Sequence, residues 1–378
     1  MAPQDLAAWL RLSLTDAIGN TTARRLLAAF GLPAQIFDQP TAALAQLASP
    51  AQIQALSREP PGFAAQLEAT QQWLALDNQP PRRVLTLADE DYPQALLNTE
   101  DPPLMLYLMG RVELDWQPGI AIVGSRNPTP QGLQNAREFA RYFSATGLTV
   151  VSGLAMGIDA AAHEGALDGA IAGRLATIAV VGTGLDRVYP KRNLALSHRI
   201  AAHGLLVSEY PLGTPPLPPN FPRRNRIISA LGEGTVVVEA ALQSGSLVTA
   251  RLAVEQGKDV FAIPGSIHSP LSRGCHALIK QGAKLVETGA DVLEELPARG
   301  RATNLGRGSL DPDGEPDPAT PPETGLLSAL GFEPVSLDAL VARTGMTASA
   351  LQAGLLQLEL QGQVGRLAGG LFQRIASG

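Results

Sequence analysis

A single cysteine, Cys275, stands among 378 residues, so neither an intrachain disulfide nor a multi-cysteine zinc site can form. That usage fits a reducing compartment, and the lone thiol is expected to be a buried bystander. Positive charge is also in short supply. The formal net charge of −6 excludes a surface coated in basic residues and confines any nucleic-acid footprint to a local patch. Long apolar runs are missing too: none approaches the ~20 residues that span a bilayer, and the start, MAPQDLAAWLRLSL, has no basic stretch leading into a continuous apolar one. The expectation is a cytoplasmic protein with no membrane partner.

What is present points to two or three domains, because 378 residues exceed what one hydrophobic core usually serves. From Asp5 to about Leu76 the chain is rich in alanine, leucine and glutamine at helical spacing, with Leu26, Leu27 and Phe30 closed by Gly31. Residues 1–80 therefore read as a small helical domain. Within it, Ile18 to Leu27 faintly resembles a helix-hairpin-helix DNA motif without its second glycine, and plain helix packing is the preferred reading.

After Pro80-Pro81, short β-branched runs alternate with helical stretches, the pattern of a parallel sheet wrapped by helices. This α/β, Rossmann-like core is expected over 81–296. Its candidate strands are Ile120 to Val123, Leu148 to Val151, Thr177 to Val181, Leu205 to Ser208, Thr235 to Val238, Val260 to Ile263 and Lys284 to Val286. Gly147, Gly204, Gly232 and Gly257 punctuate the helix ends. Residues 297–322 hold no aromatic side chain and little to bury, which predicts a flexible linker. In 323–378, three helical segments precede a hairpin built around Gly369-Gly370, the order of a winged helix.

Open parallel sheets bind ligands where strands end and helices begin, because backbone N–H groups and the helix dipole favour anions there. The first such loop, Gly124-Ser125-Arg126-Asn127-Pro128, is not the small-residue dinucleotide fingerprint. It offers an arginine suited to a phosphate, and no cofactor is expected. The second, Ser152 to Asp159, precedes a helix carrying His163. Asp159 and His163 share a face and can be read as an acid-base pair, although a capping aspartate and a packed histidine is preferred. Between Arg187 and Arg226 lie seven lysines and arginines against one acid, Glu209, inside an acidic chain. Tyr189 and Phe221 sit beside these charges, a combination that serves single strands by stacking and neutralisation together. The would-be recognition helix of the last domain, Thr347 to Gln361, has no cation and carries Glu359, so protein contact or regulation is preferred to duplex reading.

At these loops the sequence closely resembles the DNA-processing protein A (DprA, or Smf) family. The likeness rests on GSRNPTPQG from Gly124, VVSGLAMGIDAAAHEGAL from Val150, VVGTGLDRVYPKRN from Val180 and SEYPLGTPPLPPNFPRRNRIISAL from Ser208. It continues in VVVEAALQSGSLVTARLAVEQGKDVFAIPG from Val236 and GCHALIKQGAK from Gly274. The resemblance implies an N-terminal SAM-like domain, a Rossmann-like core and a winged helix. It implies a non-catalytic single-stranded DNA binder that protects incoming DNA and loads the RecA recombinase onto it during natural transformation, as a homodimer joined around His268 to Ile279. Arg126 and Lys191 would be the main phosphate contacts, with Ser125, Ser152, Gly153, Asn225 and Arg226 lining the pocket. Arg192, Asn193 and Arg223 complete the expected DNA-binding set.

The alternative is a nucleotide-processing enzyme like the lysine-decarboxylase-like phosphoribohydrolases, whose loop reads P-G-G-x-G-T-x-x-E. Here Ala241 to Thr249 supplies no carboxylate at the catalytic position; Glu239 precedes the loop and Glu255 lies well into the helix.

Overall fold

A computed structural model describes residues 2–76, 80–113, 115–296, 325–332, 334–367 and 369–375. The sequence-predicted linker 297–322 lies outside them. Nine strands form one sheet: β1 (Arg82–Thr86), β2 (Met105–Gly110), β3 (Gly119–Val123), β4 (Thr149–Ser152), β5 (Thr177–Val180), β6 (Leu205–Ser208), β7 (Gly232–Val237), β8 (Asp259–Ala262) and β9 (Lys284–Leu285). Their spatial order is β1-β2-β6-β5-β4-β3-β7-β8-β9.

The seven strands expected from the sequence, β3 to β9, are present and parallel. Strands β1 and β2 were not expected; they extend the sheet antiparallel, β2 against β6 and β1 against β2, so the sheet is mixed. The run Met105–Gly110 is apolar and mostly buried but holds no β-branched residue, the signal by which the other strands are read.

Alternation along the central strands builds two cores. Ala121 and Val123 of β3, Val151 of β4 and Val237 of β7 face one side, with Ile227, Ala250 and Cys275 from the helices packed there. Ile120, Ile122, Val150 and Val236 face the other side, under Phe139, Phe143 and Ala162. Cys275 is fully buried, with Sγ 3.6 Å from the carbonyls of Val237 and Val238, and burial pushes its thiol up to about 12.

The N-terminal segment folds into helices Pro3–Leu14, Asn20–Phe30, Pro33–Phe37, Thr41–Leu44, Pro50–Leu56 and Phe63–Leu74. Their apolar faces continue without a break into the sheet: Trp9, Leu10, Leu26 and Trp73 share one cluster with Tyr107, Ala179 and Leu206. Trp73 meets Tyr107 edge to face at 5.9 Å. The segment resembling a helix-hairpin-helix spends Ile18, Ala23 and Leu26 on this core, and Arg24 donates to the Glu100 carbonyl at 2.9 Å.

The C-terminal residues form helices Gly325–Leu330, Leu337–Thr344 and Ala348–Leu360 with β10 (Val335–Ser336), β11 (Val364–Leu367) and β12 (Leu371–Arg374), ordered β10-β12-β11. This is a winged helix. Gly369 and Gly370 turn its hairpin at φ of 83° and 73°, which glycine adopts without steric cost. The wing rests on the start of helix Pro130–Ala145, where a side chain at Gly365 would strike Pro130.

Candidate nucleic-acid interface

Strand β3 lies between β4 and β7, so the chain winds one way through β4, β5 and β6 and returns to the other side of β3 with β7. This reversal leaves a crevice beyond the carboxyl ends of β3 and β7. A cavity of about 650 Å³ opens there, lined by Ser125 and Arg126 from one loop, Gln243 and Ser246 from the other, and Phe221 and Asn225 from helix Asn220–Leu231.

The loop after β3 differs from the simple anion seat. Thr129 caps helix Pro130–Ala145 by accepting the Gly132 N–H at 3.0 Å. Glu239, at the end of β7, accepts the Thr129 N–H at 2.9 Å and its hydroxyl at 2.6 Å. A carboxylate therefore already occupies the positive end of this helix, and burial pushes that carboxyl above its ordinary value. The loop's capacity for phosphate rests on Arg126. It is exposed, without ion pair or hydrogen bond among the described residues, 6.0 Å from the centre of the Phe221 ring. Phe221 in turn lies 5.6 Å from Tyr189. Ser125 is nearly buried, and its Oγ accepts the Asn127 N–H at 3.1 Å, which shapes the turn that presents Arg126.

The loop after β4 is held from beneath. The Ser152 hydroxyl is fully buried and donates to the Ile122 carbonyl at 2.7 Å, so it ties β4 to β3 and is unavailable to a ligand. Gly153 makes room for a neighbour: a Cβ there would collide with the Arg224 guanidinium. Arg224 is buried, donates to the carbonyls of Gly153 and Val180, and stands 3.8 Å from Asp159. Leu154 adopts φ of +58°, a strained choice for a leucine. His163 Nε2 accepts its N–H at 3.3 Å, while buried Asn193 donates to its carbonyl at 3.0 Å.

These bonds settle the Asp159 and His163 question in favour of structure. Thr177 Oγ1 donates to the Val150 carbonyl, so His163 Nδ1 must donate to Thr177 Oγ1 at 2.7 Å, and both ring nitrogens are used. Burial first, and the nearby Arg224 charge second, depress the imidazole to about 3, so it stays neutral. Asp159 accepts the Ala155 N–H at 3.3 Å, and burial pushes its carboxyl up although Arg224 pulls it down.

A pH dependence follows from His163. The unfolded chain takes up a proton near the ordinary value of 6.5, whereas the folded chain resists until about 3. Its contribution is thus complete above 6.5 and is lost as pH falls, by ~2 kcal/mol at pH 5. Asp159, with its raised value, acts in the opposite sense in acid. The check is therefore a difference: melting temperature should fall between pH 7 and 5 more steeply in the parent than in His163→Gln. Equal slopes would remove His163 as the cause.

The basic stretch divides once folded. Lys191 and Arg192 are exposed on the short turn Lys191–Asn193; among the described residues Lys191 is unpaired, and Arg192 reaches the Met156 sulfur at 3.7 Å. Arg223 is exposed too. Asn225 faces the cavity, its amide 3.5 Å from the Gly245 carbonyl. Arg226 is different and corrects the expectation placed on it. Its side chain is 14 % exposed and gives two hydrogen bonds to Glu209, at 2.8 and 2.5 Å, and another to Asp101 at 3.1 Å. This guanidinium fastens three segments together and has no fork left for phosphate. Ser152 is corrected in the same sense, because its buried hydroxyl is spent on the Ile122 carbonyl; Asn193 directs its amide nitrogen to the carbonyls of Leu154 and Ala155. Sequence reasoning missed Arg224 beneath the cavity and the Gln243 to Ser246 wall; the unusual density of small polar residues after β7 was the available signal.

An open α/β sheet with Arg126 and an aromatic pair at the crevice of its switch point defines a class: Rossmann-like proteins with a strand-end site. Within that class the comparisons are specific. The family model for DNA recombination-mediator protein A matches residues 83–297, and that for the DprA winged helix domain matches 311–370. The chain belongs to the DprA/Smf family of DNA-processing proteins. It is similar to Protein Smf of Escherichia coli K12, 42% identical over 80% of both chains. It is also similar to DNA processing protein DprA of Streptococcus pneumoniae R6, 48% identical over 56% of this chain and 73% of the relative. The crystal structure of DprA from Streptococcus pneumoniae matches with a TM-score of 0.62 at 37% identity, covering 76% of this chain and 96% of that one. A structure of the Helicobacter pylori protein, described for its single-stranded DNA binding mode, matches with a TM-score of 0.50 at 32% identity over 57% and 98%. No described helix is long and apolar enough to cross a membrane.

Proposed function

We propose that this protein binds single-stranded DNA along the strand-end crevice without catalysing a reaction, protects it, and delivers it to the RecA recombinase during natural transformation in the cytoplasm. The observation that carries the reading is that Arg126 and Lys191 stand exposed and unpaired among the described residues, on separate turns of one sheet edge, flanking Tyr189 and Phe221. A flexible polyphosphate strand with bases to stack suits that arrangement. The non-catalytic part is supported by the fate of the acids and bases nearby. Asp159, His163 and Glu239 are each committed to bonds that hold loops in place, which leaves none poised for proton transfer. Homodimerisation is supported by Leu242 and Val254, exposed on a groove of about 760 Å³ beside helix Arg273–Lys280.

The test keeps the N-terminal helices, because they share a core with the sheet. A chain ending at residue 296 should bind a single-stranded oligonucleotide more tightly than a duplex, with affinity falling steeply as salt rises. Loss of all binding on removing the winged helix would move the site to that domain. Release of base from nucleoside monophosphates by the purified protein would favour the enzymatic alternative.

A further inference from the structure

A second cavity lies at the opposite pole of the sheet. Gly119 and Gly232, the first residues of β3 and β7, line it, whereas the crevice opens beyond the carboxyl ends of the same two strands. Its volume is about 430 Å³, within the range of small-molecule sites. Trp116 and Pro118 give it an apolar wall; the indole is half-buried, with part of the ring packed on the core.

The one cation in the lining has nothing left to offer an anion. Lys258 directs its three N–H bonds at the carbonyls of Ser229, Ala230 and Gly232, around the end of helix Asn220–Leu231, where a positive charge complements the dipole. The acceptors are open instead. Gln256 gives its amide to the Arg226 carbonyl at 3.2 Å, which leaves its side-chain oxygen buried without a partner among the described residues. Glu233 adds a carboxylate to the same lining.

The surroundings are acidic. Between Asp89 and Pro118, the segment that brings Trp116 to the cavity, stand seven acids against one base, Arg111. Ion pairs absorb three of them: Asp91 with Arg83, Glu113 with Arg111 and Asp101 with Arg226. Glu100 and Asp115 are exposed and make no ion pair or side-chain hydrogen bond among the described residues. They are the chain neighbours of Thr99 and Trp116, which line the cavity.

A group matched to this site is positive, donates without needing a donor in return, and has a flat face for the indole. A guanidinium meets all three conditions, with five N–H donors, no acceptor and a plane that stacks on aromatic rings. An ammonium lacks the plane. We infer that the cavity receives an arginine side chain of a partner protein, while Glu100 and Asp115 meet further basic residues of that partner. A protein fits better than free arginine because these two acids lie outside the cavity, where only a longer basic segment reaches them. Docking at this pole leaves the strand-end crevice open.

The experiment titrates tetra-arginine, tetra-lysine and tetra-citrulline amides into the full chain at matched salt. Trp9 and Trp73 are buried, so a change in tryptophan fluorescence reports Trp116. Tetra-arginine should bind about tenfold more tightly than tetra-lysine, and tetra-citrulline, close in shape but uncharged, should not bind. Followed by anisotropy of labelled peptides, the arginine preference should vanish in Trp116→Leu and persist in Trp116→Phe. Glu100→Gln/Asp115→Asn, two exposed changes that leave the fold alone, should weaken both cationic peptides alike. Equal binding of the two cationic peptides by the parent, a preference that survives Trp116→Leu, or unchanged affinity in the acid double variant would overturn the inference. So would free arginine binding as tightly as tetra-arginine, which would replace the protein partner by a small molecule.

Discussion

Arg126→Ala and Lys191→Ala should each weaken single-stranded DNA binding by about ten- to hundredfold, with both changes together costing more than either alone. A hydrogen bond to an ionised group contributes ~1.5–3 kcal/mol, and neither side chain has a competing partner to release among the described residues. Each removed phosphate contact should also lower the slope of log affinity against log salt by about 1. Anisotropy titrations across a salt series read both quantities. Because both residues are exposed, the melting temperature should barely move, which separates a lost contact from a damaged fold. Parent-like affinity in both variants would place the DNA elsewhere.

For Arg226→Ala the two readouts should trade places. Removing this guanidinium strands Glu209, whose side chain is 11 % exposed, as an unpaired charge beside the Pro211 to Pro219 arm. Breaking a buried pair from one side costs ~3–5 kcal/mol, which for a protein of this size lowers the melting temperature by roughly 10 °C. The salt dependence of DNA binding should stay that of the parent at temperatures where the variant remains folded. A fall in that slope without loss of stability would mean that Arg226 leaves Glu209 to meet phosphate.

These two expectations separate arginines that look alike in the chain. Arg126 and Arg226 each follow a small polar residue, Ser125 and Asn225, and both belong to motifs that carry the family likeness. Their difference is made by Glu209 and Asp101, the latter 125 positions away from Arg226. Ser152 and Asn193 are further cases: at the level of sequence a hydroxyl and an amide in polar loops are candidate ligands, whereas in the fold they bind the carbonyls of Ile122 and Leu154. The same limit hid β1 and β2. Their pairing is antiparallel, and β2 meets β6 from far along the chain, which no local signal records.

Local signals sufficed for much else. The seven parallel strands, the glycine-rich turns at their ends, the helices and hairpin of the winged helix and the concentration of cations between Arg187 and Arg226 follow from side-chain periodicity, backbone preference and charge, which are properties of neighbouring residues. Tertiary structure alone decided which cations remain free, that Glu239 fills the positive end of the helix beginning at Pro130, that His163 is neutral and fully bonded, and that the cavity has a neutral amide wall. Each of those depends on a partner brought from another strand or helix. Charge pairing and burial act through space, and a linear spacing carries no record of which distant group will arrive.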